Sequence, residues 1–198
     1  MSGMSTKDTP TAEILPARAR ILRAAHELFY REGIRATGID RVIAESGVTK
    51  VTFYRHFPSK NDLIREFLAF RHQYWMSWFT DAVQRHGGDE RALVPALAEW
   101  FGGEHYRGCA FINSVGELGT TLPDVVEISR RHKQDMASVI AGLLPSALHR
   151  ERHAQALAVA VDGAIVRAQM DPSPEDALRT LDWIVTALSA AGTDAVPG

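Results

Sequence analysis

Apolar residues recur at spacings of three and four along almost the whole chain, and this helical period is the feature that most restricts the possible folds. In the first such segment, from Arg18 to Glu32, they are Ile21, Leu22, Ala25, Leu28 and Phe29. One face of an α-helix repeats about every 3.6 residues, whereas a half-buried strand alternates with a period of two. No segment of this sequence alternates for long enough to indicate a strand. The sequence therefore predicts an all-α fold of about nine helices.

Glycine, proline and capping residues divide this pattern into separate helices. Gly47 follows a short second helix and allows the sharp turn that glycine enters most readily. Thr49 is placed to cap a third helix, which Pro58 ends. Ser59 and Asp62 have the spacing of a capping box and predict the start of a long fourth helix. The helices are expected to start near the following residues: Arg18, Ile39, Thr49, Lys60, Asp89, Phe111, Pro123, Arg150 and Pro174.

The composition is that of an ordinary globular protein, with 45% hydrophobic and 23% charged residues in a chain of 198. No stretch approaches the roughly 20 apolar residues that cross a membrane, and residues 1–7 lack the order of a signal peptide. We therefore expect a cytoplasmic protein with no membrane partner. The single cysteine, Cys109, excludes an internal disulfide and a zinc site built from several cysteines. We expect no cofactor and no metal.

The net charge of −2 conceals an uneven distribution. Residues 1–60 contain ten Lys or Arg against six Asp or Glu, a net charge of +4. The later residues contain 12 basic against 18 acidic side chains, a net charge of −6. Because a basic surface attracts phosphates, any nucleic-acid interface is expected near the N-terminal end of the chain.

Two short helices joined by a tight turn at Gly47, with a third helix packed behind them, predict a helix-turn-helix unit. In such a unit, short side chains meet base edges and longer donors reach phosphates. Lys50 can donate to guanine, and Val51 can contact a thymine methyl group. The alternative on charge alone is an ordinary solvated face of a small helix. The candidates for DNA contact are Thr37, Thr49, Lys50, Val51, Thr52, Tyr54, Arg55, His56 and Lys60.

Residues 18–63 resemble the DNA-binding domain of the TetR family of bacterial transcriptional regulators, most closely from residue 37 to 60. The most specific part of the resemblance is the ending Tyr-x-x-Phe-x-x-Lys, formed here by Tyr54, Phe57 and Lys60. Two positions depart from the family's pattern, which often has a small residue where Val51 stands and a small hydroxyl residue where Gly38 stands. By analogy, Val51 would change which bases are read, and Gly38 would remove one phosphate contact.

The resemblance assigns a role to most of the candidate residues. It places Lys50, Val51 and Thr52 near bases, and it places the phosphate contacts at Thr37, Tyr54, His56 and Lys60. It also implies a homodimer on a double-stranded DNA operator and repression that a small-molecule effector relieves. The expected domains are a flexible arm at residues 1–16, the DNA-binding domain at 17–60, and an effector-binding and dimerisation domain at 61–198.

The resemblance also implies a dimer interface of four helices, and helices eight and nine match it, because both carry apolar stripes. The alternative is that these stripes fill the core of their own subunit. On helix eight the stripe consists of Ala154, Leu157, Ala158, Val161, Ala164, Ile165 and Ala168. On helix nine it consists of Leu178, Leu181, Ile184, Val185 and Leu188.

An effector pocket is expected where aromatic and polar side chains mix on helices four to seven. The alternative, favoured without the resemblance, is that these aromatic residues are plain core and that His132 is an ordinary core histidine. The candidates for effector contact are His72, Trp75, Phe79, Trp100, Cys109, Phe111, Asn113 and His132.

His105, Cys109, Asn113 and Glu117 recur every four residues, which allows a metal site or a thiol sensor if helix six starts early. The glycines at 102, 103 and 108 argue against that start, and a lone cysteine is usually a buried small hydrophobe. The sequence shows no Gly-rich phosphate loop or nucleophile elbow, so we do not expect an enzyme. The expected function is a ligand-responsive repressor. The alternative is a DNA-binding regulator whose C-terminal half serves only dimerisation.

Overall fold

The computed structural model describes residues 15–145 and 149–193, with side chains described up to residue 190. All regular structure in these ranges is helical, which confirms the predicted fold class. Residues 1–14 of the predicted arm lie outside the described ranges. The helices are α1 (Ala17–Glu32), α2 (Ile39–Ser46), α3 (Lys50–His56), α4 (Lys60–Arg85), α5 (Leu93–Phe101), α6 (Ala110–Leu118), α7 (Pro123–Leu143), α8 (Arg150–Met170) and α9 (Glu175–Thr193). A 3-10 turn at Glu90–Ala92 precedes α5.

Helices α1, α2 and α3 form the helix-turn-helix unit that the sequence predicts. Gly47 ends α2 in the left-handed region, at φ 61°, where a side chain would be strained. The hydroxyl of Thr49 then accepts a hydrogen bond from the Thr52 amide at 3.2 Å and caps α3. Phe53 and Phe57 anchor α3, since both are fully buried in the apolar core of the unit.

Helix α4 connects this unit to the rest of the protein. Ser59 caps it by accepting from the Asp62 amide at 3.1 Å, and its 26 residues continue to Arg85. Near its start α4 packs against α1, where the ring of Phe67 meets that of Phe29 edge to face. Further along, it packs against α5, α6 and α7. Two aromatic side chains of α4 stay exposed, because Phe70 is 38% exposed and Tyr74 is 58% exposed.

Helix α8 packs against both α7 and α9 around a second part of the core. The apolar stripes of α8 and α9 mostly fill the core of their own subunit, as the alternative interpretation predicted. Their residues Leu157, Val161, Leu181 and Val185 are at most 1% exposed. Most of both stripes is therefore already packed within the subunit. Among the described residues, no helix is long and apolar enough to cross a membrane.

Candidate functional site

The predicted recognition helix α3 has one buried face and one open face. Phe53 holds the buried face in the core. On the open face, Val51 is 71% exposed and Tyr54 is 41% exposed. The other exposed side chains at this face are Thr49, Lys50, Arg55 and His56. A helix anchored in this way can present its polar side chains to a DNA groove and keep its core contacts.

Two side chains of this face have partners within the unit. The hydroxyls of Thr49 and Thr52 lie 2.9 Å apart, so the half-buried Thr52 helps to fix the start of the helix. The Lys50 ammonium lies 3.7 Å from a carboxylate oxygen of Asp40, and both side chains are mostly exposed. An exposed ion pair of this kind contributes little stability and is screened by salt. Lys50 therefore stays available to an incoming base or phosphate.

Two residues predicted to contact phosphates, Thr37 and Lys60, have hydrogen-bond partners within the protein. Thr37 is 1% exposed, and its hydroxyl donates to the Gly33 carbonyl at 2.7 Å. This burial in the turn between α1 and α2 argues against a phosphate contact by Thr37, which stays a prediction. The Lys60 ammonium donates to the Ile34 carbonyl at 2.7 Å, and partial burial lowers its pKa. An ammonium group has three donors, so a phosphate contact by Lys60 stays a prediction.

The turn between α1 and α2 is also held by Glu117 near the end of α6. A carboxylate oxygen of Glu117 accepts a hydrogen bond from the backbone amide of Arg35 at 2.7 Å. Together with the bond from Lys60 to Ile34, this contact fastens the helix-turn-helix unit to α4 and α6. We refer to these two contacts as the turn brace.

The four residues that recur every four positions from His105 to Glu117 do not share one helix face. Helix α6 starts at Ala110 with Cys109 as its N-cap residue, so His105 lies before the helix and does not share its face. Among the described residues, no group of three or more histidine, cysteine or acidic side chains could hold a metal ion. Cys109 is 4% exposed, as expected of a small buried hydrophobe.

The predicted effector residues mostly form a packed aromatic cluster between α4, α6 and α7. The rings of His132 and Phe111 stack with centroids 3.7 Å apart, and Nδ1 of His132 lies 3.1 Å from Nδ1 of His72. Burial, followed by the charge of Lys133, lowers the pKa of His132 to about 2. Only a void of about 10 Å³ remains beside His132, Phe111 and Cys109, enough for about one water molecule.

Phe79 does not line a cavity. It is 0% exposed and stacks on Trp75 with a centroid distance of 4.6 Å. This ring is part of the core that supports Trp75, which argues against an effector contact by Phe79; the contact stays a prediction.

An open cleft of about 650 Å³ lies beside this cluster, between α1, α4, α5 and the segment that follows α5. We call it the aromatic cleft. Of the predicted effector residues, Trp75 and Trp100 line it. The walls also include side chains that the sequence did not single out: Tyr30, Arg71, Tyr74 and Tyr106. Asn113 lines a second open cleft, of about 810 Å³, and donates from Nδ2 to the Arg107 carbonyl at 3.0 Å.

Comparison with known proteins supports the interpretation of the N-terminal unit. The sequence model described as "Bacterial regulatory proteins, tetR family" matches residues 21–67. The crystal structure of SCO4454, a TetR-family transcriptional regulator from Streptomyces coelicolor, is 31% identical to this chain and has a TM-score of 0.81. The superposition covers 97% of this chain and 98% of that one.

The chain belongs to the TetR family. It is therefore a DNA-binding transcriptional regulator, and members of this family are generally not enzymes. The HTH-type transcriptional regulator TtgR from Pseudomonas putida is 27% identical over 192 residues, which cover 89% of this chain and 91% of that protein. The fold is also that of the multidrug binding protein EbrR, whose structure is 20% identical, has a TM-score of 0.67 and covers 86% of this chain and 96% of that one.

In this TetR-family chain, sequence reasoning overlooked Glu117 as a brace and Arg71 as a lining residue of the cleft. Arg71 lies on α4 among apolar neighbours, and a basic residue in a helix usually indicates a solvated position. Glu117 is 82 residues away from its partner Arg35, so no local pattern connects the two.

Proposed function

We propose that this TetR-family regulator is a repressor that binds a palindromic operator as a homodimer and leaves it when a small molecule binds. The observation that carries this proposal is the position of α4. The helix begins at Lys60, four residues after the end of α3, and the same helix supplies Arg71 and Tyr74 to the aromatic cleft. A ligand that prefers one position of α4 over another would shift the equilibrium between the two positions.

The proposed DNA contacts follow from the exposed face of α3. Lys50 and Val51 are placed to meet base edges, with Thr52 beside them. Tyr54, Arg55 and His56 are placed to reach phosphates. The division into a DNA-binding domain at residues 17–60 and an effector-binding and dimerisation domain at 61–198 is part of this proposal, with α4 passing from one to the other.

Two substitutions test this docking, with DNA fragments selected from the source genome as operator candidates. Val51→Ala should change the preferred bases in the selected sites, because it removes the contact to a thymine methyl group. Arg55→Ala should weaken binding to specific and random DNA alike and reduce the salt slope by about 1. Arg152→Ala, at an exposed position of α8, is the matched control. If Arg55→Ala behaved like the control, the proposed docking of α3 would be incorrect.

The proposed dimer uses the outward faces of α8 and α9. Large apolar side chains stand exposed there: Val159 at 72%, Met170 at 68% and Trp183 at 71%. Gly163 lies next to a groove of about 360 Å³ between the two helices, and the space around its α-carbon is open. Because large exposed apolar groups tend to mark interfaces, these faces fit a second copy of the chain. A twofold dimer would place its recognition helices about 34 to 36 Å apart, or a multiple of that, so the operator should be a near-palindrome.

The rival function is a DNA-binding regulator that responds to no small molecule. The open aromatic cleft favours the sensor, since its volume lies within the range of small-molecule sites. The bound malachite green in the EbrR structure supports the idea that this fold can hold a small molecule. A library of compounds should be screened by thermal shift and then by fluorescence anisotropy on operator DNA. Compounds that stabilise the protein and also release the DNA support the sensor. If every stabilising compound left DNA binding unchanged, the function without a small-molecule effector would be supported.

A further inference from the structure

Arg71 is a buried cation at the aromatic cleft, and its described contacts include no carboxylate. The residue is 5% exposed, and none of the ion pairs among the described residues includes it. Its guanidinium lies over the Tyr30 ring at 3.9 Å from the centroid, with the Tyr74 ring at 5.7 Å. One Nη atom lies 3.3 Å from Nε2 of His26. All of these contacts are to rings that are neutral at neutral pH, since burial and the Arg71 charge hold the pKa of His26 at about 4.

A buried charge in a protein is normally paired, because its transfer out of water is costly. Acidic side chains do line the same cleft, but they do not neutralise Arg71. Glu99 is held by Arg85 and His86 on the surface, with its carboxylate at 3.0 Å and 3.3 Å from them. Glu27 and Glu104 form no ion pair with Arg71. Within the described structure, the guanidinium is therefore a site whose charge lacks a counterion.

The walls around Arg71 indicate what kind of anion would fit. They are aromatic, with Tyr74, Trp78, Trp100 and Tyr106 around a volume of about 650 Å³. The indole N–H of Trp75, which also lines the cleft, is buried and has no hydrogen-bond acceptor among the described residues. The planar guanidinium fork matches a carboxylate with two parallel hydrogen bonds, and aromatic walls favour a flat ring.

We propose that the aromatic cleft binds a flat aromatic carboxylate, with its carboxylate paired to Arg71 and its ring packed against the tyrosine and tryptophan walls. This inference rests on the proposed function, since it specifies the chemical class of the effector. The ligand would touch α1 through Tyr30 and His26 and α4 through Arg71 and Tyr74. It would thus sit directly between the helix-turn-helix unit and the long helix that leads away from it.

The test uses calorimetric titration of the full-length protein with matched pairs of probes. Phenylacetate, 2-naphthoate and biphenyl-4-carboxylate are each compared with the corresponding primary amide, which has nearly the same shape and no charge. We expect at least one carboxylate to bind the wild-type protein about tenfold or more tightly than its amide. Arg71→Met should weaken the binding of that carboxylate by about 10- to 100-fold and leave the affinity for the amide unchanged. Arg152→Met, at an exposed position on α8, is the control and should bind like the wild type.

Arg71→Met should fold, because it removes a buried charge that has no carboxylate partner. If it does not fold, Tyr74→Ala serves as the second variant, since Tyr74 is 58% exposed and the substitution should not disturb the core. Loss of this ring should weaken the binding of carboxylate and amide alike. The inference is overturned if no carboxylate binds, if acid and amide bind equally, or if folded Arg71→Met binds the carboxylate as tightly as the wild type. If Arg71→Met does not fold, unchanged carboxylate binding by Tyr74→Ala overturns it.

Operator release, measured by anisotropy with the same probes, separates this inference from the proposed function. A carboxylate that binds through Arg71 and leaves the DNA complex intact supports the inference and contradicts the proposed function. Release of the operator by neutral compounds alone has the opposite meaning, because it supports a sensor and overturns the assignment of an anionic effector.

Discussion

The turn brace allows a sharp test of how α6 is coupled to the helix-turn-helix unit. The backbone N–H of Arg35 has one described partner, the Glu117 carboxylate, at 2.7 Å. Glu117→Ala removes that acceptor, while Glu117→Gln keeps an acceptor oxygen and removes the charge. The two variants therefore separate the hydrogen bond from the electrostatic part of the contact.

The expected magnitude follows from the type of bond. A hydrogen bond to a charged group contributes about 1.5–3 kcal/mol, and partial exposure of Glu117 reduces this to about 1–2 kcal/mol. In an exchange experiment, each 1.4 kcal/mol lost from local protection accelerates amide exchange about tenfold. The Arg35 amide should therefore exchange roughly 5 to 30 times faster in Glu117→Ala. Glu117→Gln should lie between this variant and the wild type.

Hydrogen exchange followed by NMR measures this amide individually. The Phe57 amide, which donates to the Phe53 carbonyl at 2.9 Å in the same unit, is the internal control, because this helix-end bond does not involve Glu117. Operator affinity should fall in the same order as the protection of Arg35, since DNA binding then has to fix a looser turn. An unchanged exchange rate for Arg35 in Glu117→Ala would show that α6 does not hold the turn, and the coupling argument would fail.

Three further predictions address other parts of the molecule. Thr37→Val should lower the free energy of unfolding by about 1 kcal/mol, because the Gly33 carbonyl loses its donor. Denaturant titration measures this change. A large change in the salt slope of DNA binding would contradict the buried role of Thr37. His132 has its pKa lowered from 6.5 to about 2, so it stays neutral in the folded protein while it gains a proton in the unfolded chain below pH 6.5. The contribution of His132 to the free energy of unfolding should therefore fall by about 1.6 kcal/mol between pH 6.5 and 5, and His132→Gln should remove this contribution. Trp183→Asp should convert the protein to monomers in light scattering and abolish specific DNA binding; a stable dimer would exclude the outward face of α9 as the interface.

The sequence by itself determined the helices and most of their ends. The caps at Thr49 and Ser59 and the turn at Gly47 act on neighbouring backbone groups, so their effect is readable within a few residues. The same locality made the helix-turn-helix unit recognisable. Exposed positions on α3 were also predictable, because Phe53 and Phe57 fix which side of this short helix is buried.

The tertiary structure decided which polar groups are free and where a cavity remains. The helical period indicates that Trp75 and Phe79 share a buried face, but packing alone leaves Trp75 at a cleft and Phe79 inside the core. Thr37 and Glu117 have hydrogen-bond partners that the sequence did not indicate. Those partners are backbone groups fixed only after the helices have packed, and for Glu117 the partner is 82 residues away. Arg71 is the extreme case, because only the packing of α1 against α4 shows that its guanidinium is buried and, among the described residues, forms no ion pair.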